Sequence, residues 1–214
     1  MTKEEAVKDT WKERALRQGN ELMILTAPEI IELIESKNIK ASAEQVQGTS
    51  LDVTLGPIVY VEAPEDTLPE NSSLKGKMIP VLSLRRAEAP TFTRVDLSAG
   101  PLVLLPGQFC LAQTREIFDL PRTISAQYHM RSTMGRVGMN HALAGWCDPG
   151  WGPSVLTLEF TNTLSFHAIE LQLGDPAGQL VFHRHREVSE SFSYKRRGRY
   201  NNDMEATPSK KVSE

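Results

Sequence analysis

The stretch "HALAGWCDPGWGPSVLTLEF", residues 141–160, decides how the chain folds. Its second half alternates. Leu156, Leu158 and Phe160 are apolar, and Val155, Thr157 and Glu159 fall between them. A period of two puts the two sets on opposite faces of a β-strand. Its first half is punctuation, because Asp148-Pro149-Gly150 carries residues favoured in a β-turn. One residue does not fit a plain core strand. A lone carboxylate among Val, Leu and Phe is costly to bury unless it is partnered. Glu159 therefore lies on the wet face of a strand or is held in a site, and alternation alone allows both.

The same texture runs outward from this stretch. "SLDVTLGPIVYVEA" (50–63), "GPLVLLPGQFCLAQTREIFDLP" (100–121), "TISAQYHM" (123–130) and "AIELQLGDPAGQLVFH" (168–183) are short β-prone runs broken by Gly, Pro and Asp. That spacing predicts a mainly β domain, a barrel or a sandwich, over residues 21–190. Residues 63–100 are less patterned and read as loops and edge strands. One helix stands before the strands. In "LTAPEIIELIESKNI" (25–39), Thr26 and Glu29 have capping-box spacing, and Ile30, Ile31, Leu33 and Ile34 form one apolar face. Residues 1–20 read as an appended helix, with Val7, Trp11 and Ala15 at helical spacing. Residues 191–214 are polar and basic, and on composition alone form a mobile tail.

Composition narrows the function. The chain has 214 residues, 40% hydrophobic and 24% charged, with a formal net charge of −3. Nothing there draws it as a whole toward nucleic acid or an anionic membrane. No apolar run approaches a membrane span. Two cysteines, Cys110 and Cys147, are too few for a disulfide framework and fit a reducing cytoplasm. The charged N-terminus does not resemble a secretory signal. The basic tail lacks a nucleic-acid-binding motif.

Three places carry candidate chemistry. In "MRSTMGRVGMNH" (130–141), Arg131, Ser132, Thr133 and Arg136 make either a phosphate cradle at a strand-to-helix turn or an ordinary capped turn with surface arginines. Asp148 to Trp151 is a β-turn with or without a binding role. Glu159 is the third. Zinc is not expected. The HxE and PCxxC spacing of zinc nucleobase deaminases is missing, and His183 and His185 alone do not make a metal site.

Seven blocks in order resemble the dCTP deaminases, a family that shares its fold with trimeric dUTPases. They are "SLDVTLG" (50–56), "PGQFCLAQTREIFDLP" (106–121), "RSTMGRVG" (131–138), "HALAGWCDPGW" (141–151), "TLEFTN" (157–162), "GDPAGQLVF" (174–182) and "RYNNDMEATPSKK" (199–211). "MILTAPEIIELIES" (23–36) resembles the family's opening. The resemblance implies a distorted β-barrel or jelly roll with a short N-terminal helix, assembled as a homotrimer with active sites between subunits. It implies metal-independent conversion of dCTP to dUTP and ammonia, with Glu159 as general base. The alternatives are a bifunctional enzyme that continues to dUMP and pyrophosphate, and a nucleotide-binding regulator without turnover.

The resemblance also assigns roles. Ser132 and the backbone at Ala144 hold the water and the pyrimidine, and Arg136 stands beside Glu159. Arg131 and Thr133 take phosphates. Asp148 takes the sugar 3′-hydroxyl, and Trp151 packs under the deoxyribose. Tyr194, Arg199 and Tyr200 belong to a lid formed by the tail. Mg²⁺ arrives with the triphosphate, and dTTP is the expected feedback inhibitor. The chemistry is consistent with this. Water must attack C4 of cytosine, and without zinc a carboxylate must move the protons, an effect worth about 10²–10⁴-fold.

Three departures from the family pattern stand out. The turn between Asp148 and Glu159 is one residue longer than usual. Met130 stands where Gly is usual. Asp203 stands near the place of the tail glutamine.

Overall fold

The computed structural model describes residues 23–63 and 82–210. The helical appendage expected at residues 1–20 lies outside them. The first elements are β1 (Met23–Ile24) and helix α1 (Ala27–Glu35). The expected capping residues meet there: the Thr26 N–H donates to Glu29 Oε2 at 2.9 Å. Pro28 occupies the first turn, where a missing N–H costs nothing. Ile30 and Leu33 are buried, and Ile34 packs against the core from a half-buried position.

The remaining described chain is mainly β, and every strand pair is antiparallel. One sheet orders β1, β13 (Pro176–Arg184), β8 (Ile124–His129) and β10 (Trp146–Cys147), with β3 (Leu51–Thr54) also on β13. A second orders β5 (Phe92–Asp96), β4 (Ile58–Glu62), β7 (Phe109–Phe118), β11 (Ser154–Asn162) and β9 (Met139–His141), with β2 (Ile39–Lys40) also on β7. A third joins β6 (Leu102–Leu104) to β12 (Ile169–Leu171). The fold is the mainly β type expected, built of antiparallel sheets. It differs from the expected barrel in one respect: the sheets do not close. β1 and β10 are two-residue strands at opposite edges of the first sheet, too short to continue the ladder.

Phe118, Phe160, Phe182, Leu158 and Leu180 are fully buried between the sheets. A buried carboxylate ties the sheets together. Glu116 accepts from Thr54 N–H at 3.0 Å, Thr54 Oγ1 at 2.8 Å and Gln45 Nε2 at 2.7 Å. Satisfied in this way, it avoids the penalty of a buried orphan.

The long turn before β11 is built on two glycines. Gly150 (φ 78°) and Gly152 (φ 118°) take left-handed backbone, and the Gly152–Pro153 peptide is cis. A Cβ on Gly152 would lie 2.0 Å from the Phe118 carbonyl oxygen, so only glycine fits. A register shift between Val155 and Thr157 precedes the site, and beyond it Glu159 faces Leu111 across the ladder. Thr157 and Glu159 lie beyond that shift and share one face of the strand.

Residues 191–210 depart from the mobile tail that composition suggests. They run through a 3₁₀ turn (Glu190–Phe192) and a short helix (Tyr194–Arg197), then along β11. Val155 N–H donates to the Asp203 carbonyl at 2.9 Å, Ala206 N–H to Gln113 Oε1 at 2.9 Å and Thr207 N–H to Thr157 Oγ1 at 3.2 Å. These bonds satisfy a backbone that local sequence leaves unpaired.

Candidate active site

The face of β11 carrying Thr157 and Glu159 is not open to bulk water. It forms one wall of a cavity of about 450 Å³. Ala144, Trp146 and Asp148 come from the segment around β10, and Trp151 follows the turn. Tyr194, Tyr200 and Asp203 close it from the tail. A cavity of this size suits a ligand of nucleoside dimensions.

Glu159 is held from behind by a histidine. Its side chain is 25% exposed, but Oε2 itself is buried 3.2 Å from Nε2 of His141. The approach is off the ideal hydrogen-bond line, and neither atom has another partner among the described residues. Nδ1 of His141 accepts from Leu143 N–H at 3.1 Å. In a neutral ring this places the proton on Nε2, facing the carboxylate. The imidazole is buried, 4.4 Å from the Tyr128 ring and 5.8 Å from Phe160. Burial, with the Glu159 charge adding, raises the Tyr128 phenol above its ordinary range. Its hydroxyl donates to the Ala177 carbonyl at 2.6 Å. Gly178 makes this packing possible, since a Cβ there would lie 2.2 Å from the Tyr128 ring.

His141 was absent from the candidates drawn from sequence. It belongs to β9, which pairs with β11, and Phe160 is its register partner. The usable signal was a second titratable residue in an apolar strand adjoining that of Glu159, but the register was needed to read it.

Asp148 also lines the cavity and sits in the expected turn. Trp151 N–H donates to its carbonyl at 3.1 Å, closing the turn. Its carboxylate accepts from Trp146 Nε1 at 3.2 Å. Trp151 is buried, stacked on Phe118 at 5.9 Å, and donates its indole N–H to the Tyr200 carbonyl at 2.9 Å. It joins the cavity wall to the tail. Arg199 stays outside the wall, with its guanidinium 3.4 Å from the Lys210 carbonyl.

The arginine–serine segment lies elsewhere in the chain. Ser132, Thr133 and Arg136 belong to a helix of five residues, Ser132–Arg136, which is the second in chain order. Arg131 is paired with Asp52 of β3 at 3.0 Å. Arg131 and Thr133 line a separate, mostly apolar cavity of about 320 Å³ with Met134, Leu171 and Phe160. Phe160 points to the face of β11 opposite Glu159, so the two cavities open on opposite faces of that strand. Within one chain Arg131, Ser132, Thr133 and Arg136 do not meet Glu159. Met130, the bulky departure, packs against the core edge.

The architecture and the cavity define a class: a mainly β fold with a carboxylate, backed by a buried imidazole, facing a nucleoside-sized space. The family model described as dCTP deaminase-like matches residues 24–185. The chain is 34% identical over 194 residues to "dCTP deaminase, dUMP-forming" of Nanoarchaeum equitans, covering 87% of this chain and 96% of that protein. It is 34% identical over 194 residues to the protein of the same description from Persephonella marina, covering 88% and 97%. A solved structure, the 2′-deoxycytidine 5′-triphosphate deaminase of Agrobacterium tumefaciens, superposes with a TM-score of 0.56 at 24% identity. That match covers 76% of this chain and 48% of the other, and it bears on the fold alone. The chain belongs to the dCTP deaminase family.

Proposed function

We propose that the chain deaminates dCTP by hydrolysis, with Glu159 as general base. The observation that carries this reading is the Glu159 carboxylate, facing the cavity and backed by His141 at 3.2 Å. Water attacks C4 of the cytosine and loses a proton to Glu159, which passes it to N3. The carboxylate then takes the remaining proton from the C4 hydroxyl and gives it to the departing nitrogen, the C4–N4 bond breaks as the C4 carbonyl forms, and ammonia and dUTP result. The N–H at His141 Nε2 holds the carboxylate in place and supports its charge before proton transfer. The backbone at Ala144, which lines the same cavity, orients water and base.

The cavity wall carries the carboxylates of Asp148 and Glu159, neither of them paired with a lysine or arginine among the described residues, whereas Asp203 is paired with Lys210. That acceptor-rich surface suits the donor-bearing nucleoside end of the substrate. The triphosphate, bringing its own Mg²⁺, needs cations and N–H donors. Arg131, Ser132, Thr133 and Arg136 can supply them only from a neighbouring copy, since in one chain they lie across β11 from Glu159. This arrangement supports a homotrimer with shared sites. Trp151, buried and stacked, gives the deoxyribose a fixed surface that leaves no room for a 2′-hydroxyl. dTTP, with the same sugar and phosphates, competes for the site.

The relatives' names favour a second step, in which a further water cleaves dUTP between the α- and β-phosphates to give dUMP and pyrophosphate. One experiment tests both steps. Purified protein is incubated with dCTP and Mg²⁺, ammonia is assayed and the nucleotides are separated. Ammonia with dUMP and pyrophosphate supports the two-step reading, and ammonia with dUTP limits it to deamination. No ammonia contradicts the proposal.

A further inference from the structure

Lys210 lies outside the cavity wall, yet it gathers the tail that forms it. Its Nζ donates to Asp203 Oδ1 at 2.9 Å and Oδ2 at 2.8 Å, and to the Arg199 carbonyl at 2.9 Å. Its backbone N–H donates to the Tyr200 hydroxyl at 3.3 Å, and its carbonyl accepts from Arg199 at 3.4 Å. Nζ also stands 5.1 Å from the centre of the Tyr200 ring. One residue thus closes residues 199–210 into a loop. Two of the residues it holds, Tyr200 and Asp203, face the cavity.

The loop is then fastened to the strand. Asp203 N–H donates to Ser154 Oγ at 3.2 Å, and Gly152 N–H donates to Asn201 Oδ1 at 3.2 Å.

The pairing also settles a charge problem. Asp203 is a carboxylate with a side chain only 19% exposed, in the wall of a cavity that already carries Asp148 and Glu159. A polyphosphate approaching an uncompensated Asp203 meets repulsion in a medium less polarisable than water. Lys210 cancels that charge with both carboxylate oxygens engaged.

We infer that Lys210 is a positioning residue for substrate binding, which holds Tyr200 and Asp203 as a preformed wall and neutralises Asp203 toward the phosphates of the substrate. The inference rests on the deaminase reading of the cavity.

The test is a double-mutant cycle on the full chain, with folding checked by thermal melting. K210M should raise KM for dCTP about tenfold while kcat stays within about twofold. Inhibition by uncharged deoxycytidine should weaken by less than about threefold, because it carries no phosphate to repel. K210R should restore KM. On a D203N background, K210M should change KM by less than about twofold, since the charge it exposes is gone. An unchanged KM in K210M overturns the inference. So does an equal loss for dCTP and deoxycytidine that D203N does not relieve, which marks a packing role. If K210M does not fold, the cycle is read with K210Q against K210R. Wild-type protein that releases no ammonia overturns the deaminase reading itself, whereas active wild type with an unmoved K210M overturns this inference alone.

Discussion

Replacing His141 by Phe removes one N–H and little else. The ring keeps its contacts with Tyr128 at 4.4 Å and Phe160 at 5.8 Å. Two polar contacts are lost. Oε2 of Glu159 loses its neighbour at 3.2 Å, and Leu143 N–H loses its acceptor at 3.1 Å. Once aligned in the substrate complex, a hydrogen bond to a charged group contributes about 1.5–3 kcal/mol. If that support orients the base for the attacking water, kcat falls about 10- to 100-fold. The Leu143 N–H, left partly buried without an acceptor, costs about 1 kcal/mol of stability, a shift of a few degrees in melting temperature. The assay is ammonia release from dCTP under saturation, alongside a thermal melt. His141→Gln, which can still present an amide N–H, should retain more activity than the Phe variant. A His141→Phe protein that folds and turns over within about twofold of wild type would refute the reasoning.

Three other outcomes follow from the packing. Burial pushes the thiols of Cys110 and Cys147 up to about 12, with Asp148 adding at Cys147, so a disulfide-exchange reagent near pH 8 should label neither until urea is added. Arg94 hydrogen-bonds Glu205 and holds its carboxyl below the ordinary 4.5. The depressed value means that this contact helps the folded tail above the ordinary value and is lost as pH falls through the folded one. Protection of residues 199–210 from acid protease should therefore decline as pH falls below the ordinary carboxylate range, and Glu205→Gln should flatten that decline. Gly178→Ala should cost about 2 kcal/mol or more, because its Cβ displaces Tyr128 and the backbone there is at φ 142°, with a matching drop in melting temperature.

Local pattern carried the strands well, because a strand's period is written in adjacent residues. The alternation from Val155 to Phe160 put Glu159 on the right face of β11, and the Thr26–Glu29 spacing marked the start of α1. What local pattern could not say is what covers a face. The wall over Thr157 and Glu159 comes from Tyr200, Asp203 and Thr207, some forty residues later in a segment whose composition resembles solvated coil. Its backbone donors find Ser154, Gln113 and Thr157 only in three dimensions. His141 stayed hidden for a related reason, since its approach to Glu159 depends on the β9–β11 register. The open sheets reflect strand lengths at β1 and β10 that propensity does not set. The blocks resembling the family located Glu159, Asp148 and Trp151 as candidates. They did not reveal that the Arg131–Arg136 segment faces away from them in the same chain. No helix among the described residues is long and apolar enough to cross a membrane.

The central claim is that Glu159 carries protons for deamination rather than merely shaping the cavity. Glu159→Gln keeps the size and one oxygen toward His141 while losing the ability to take a proton. Calorimetric binding of dCTP and ammonia release should be measured together on this variant. The account predicts affinity within a few-fold of wild type and a fall in turnover of about 10²–10⁴-fold. Ammonia release at the wild-type rate would contradict it.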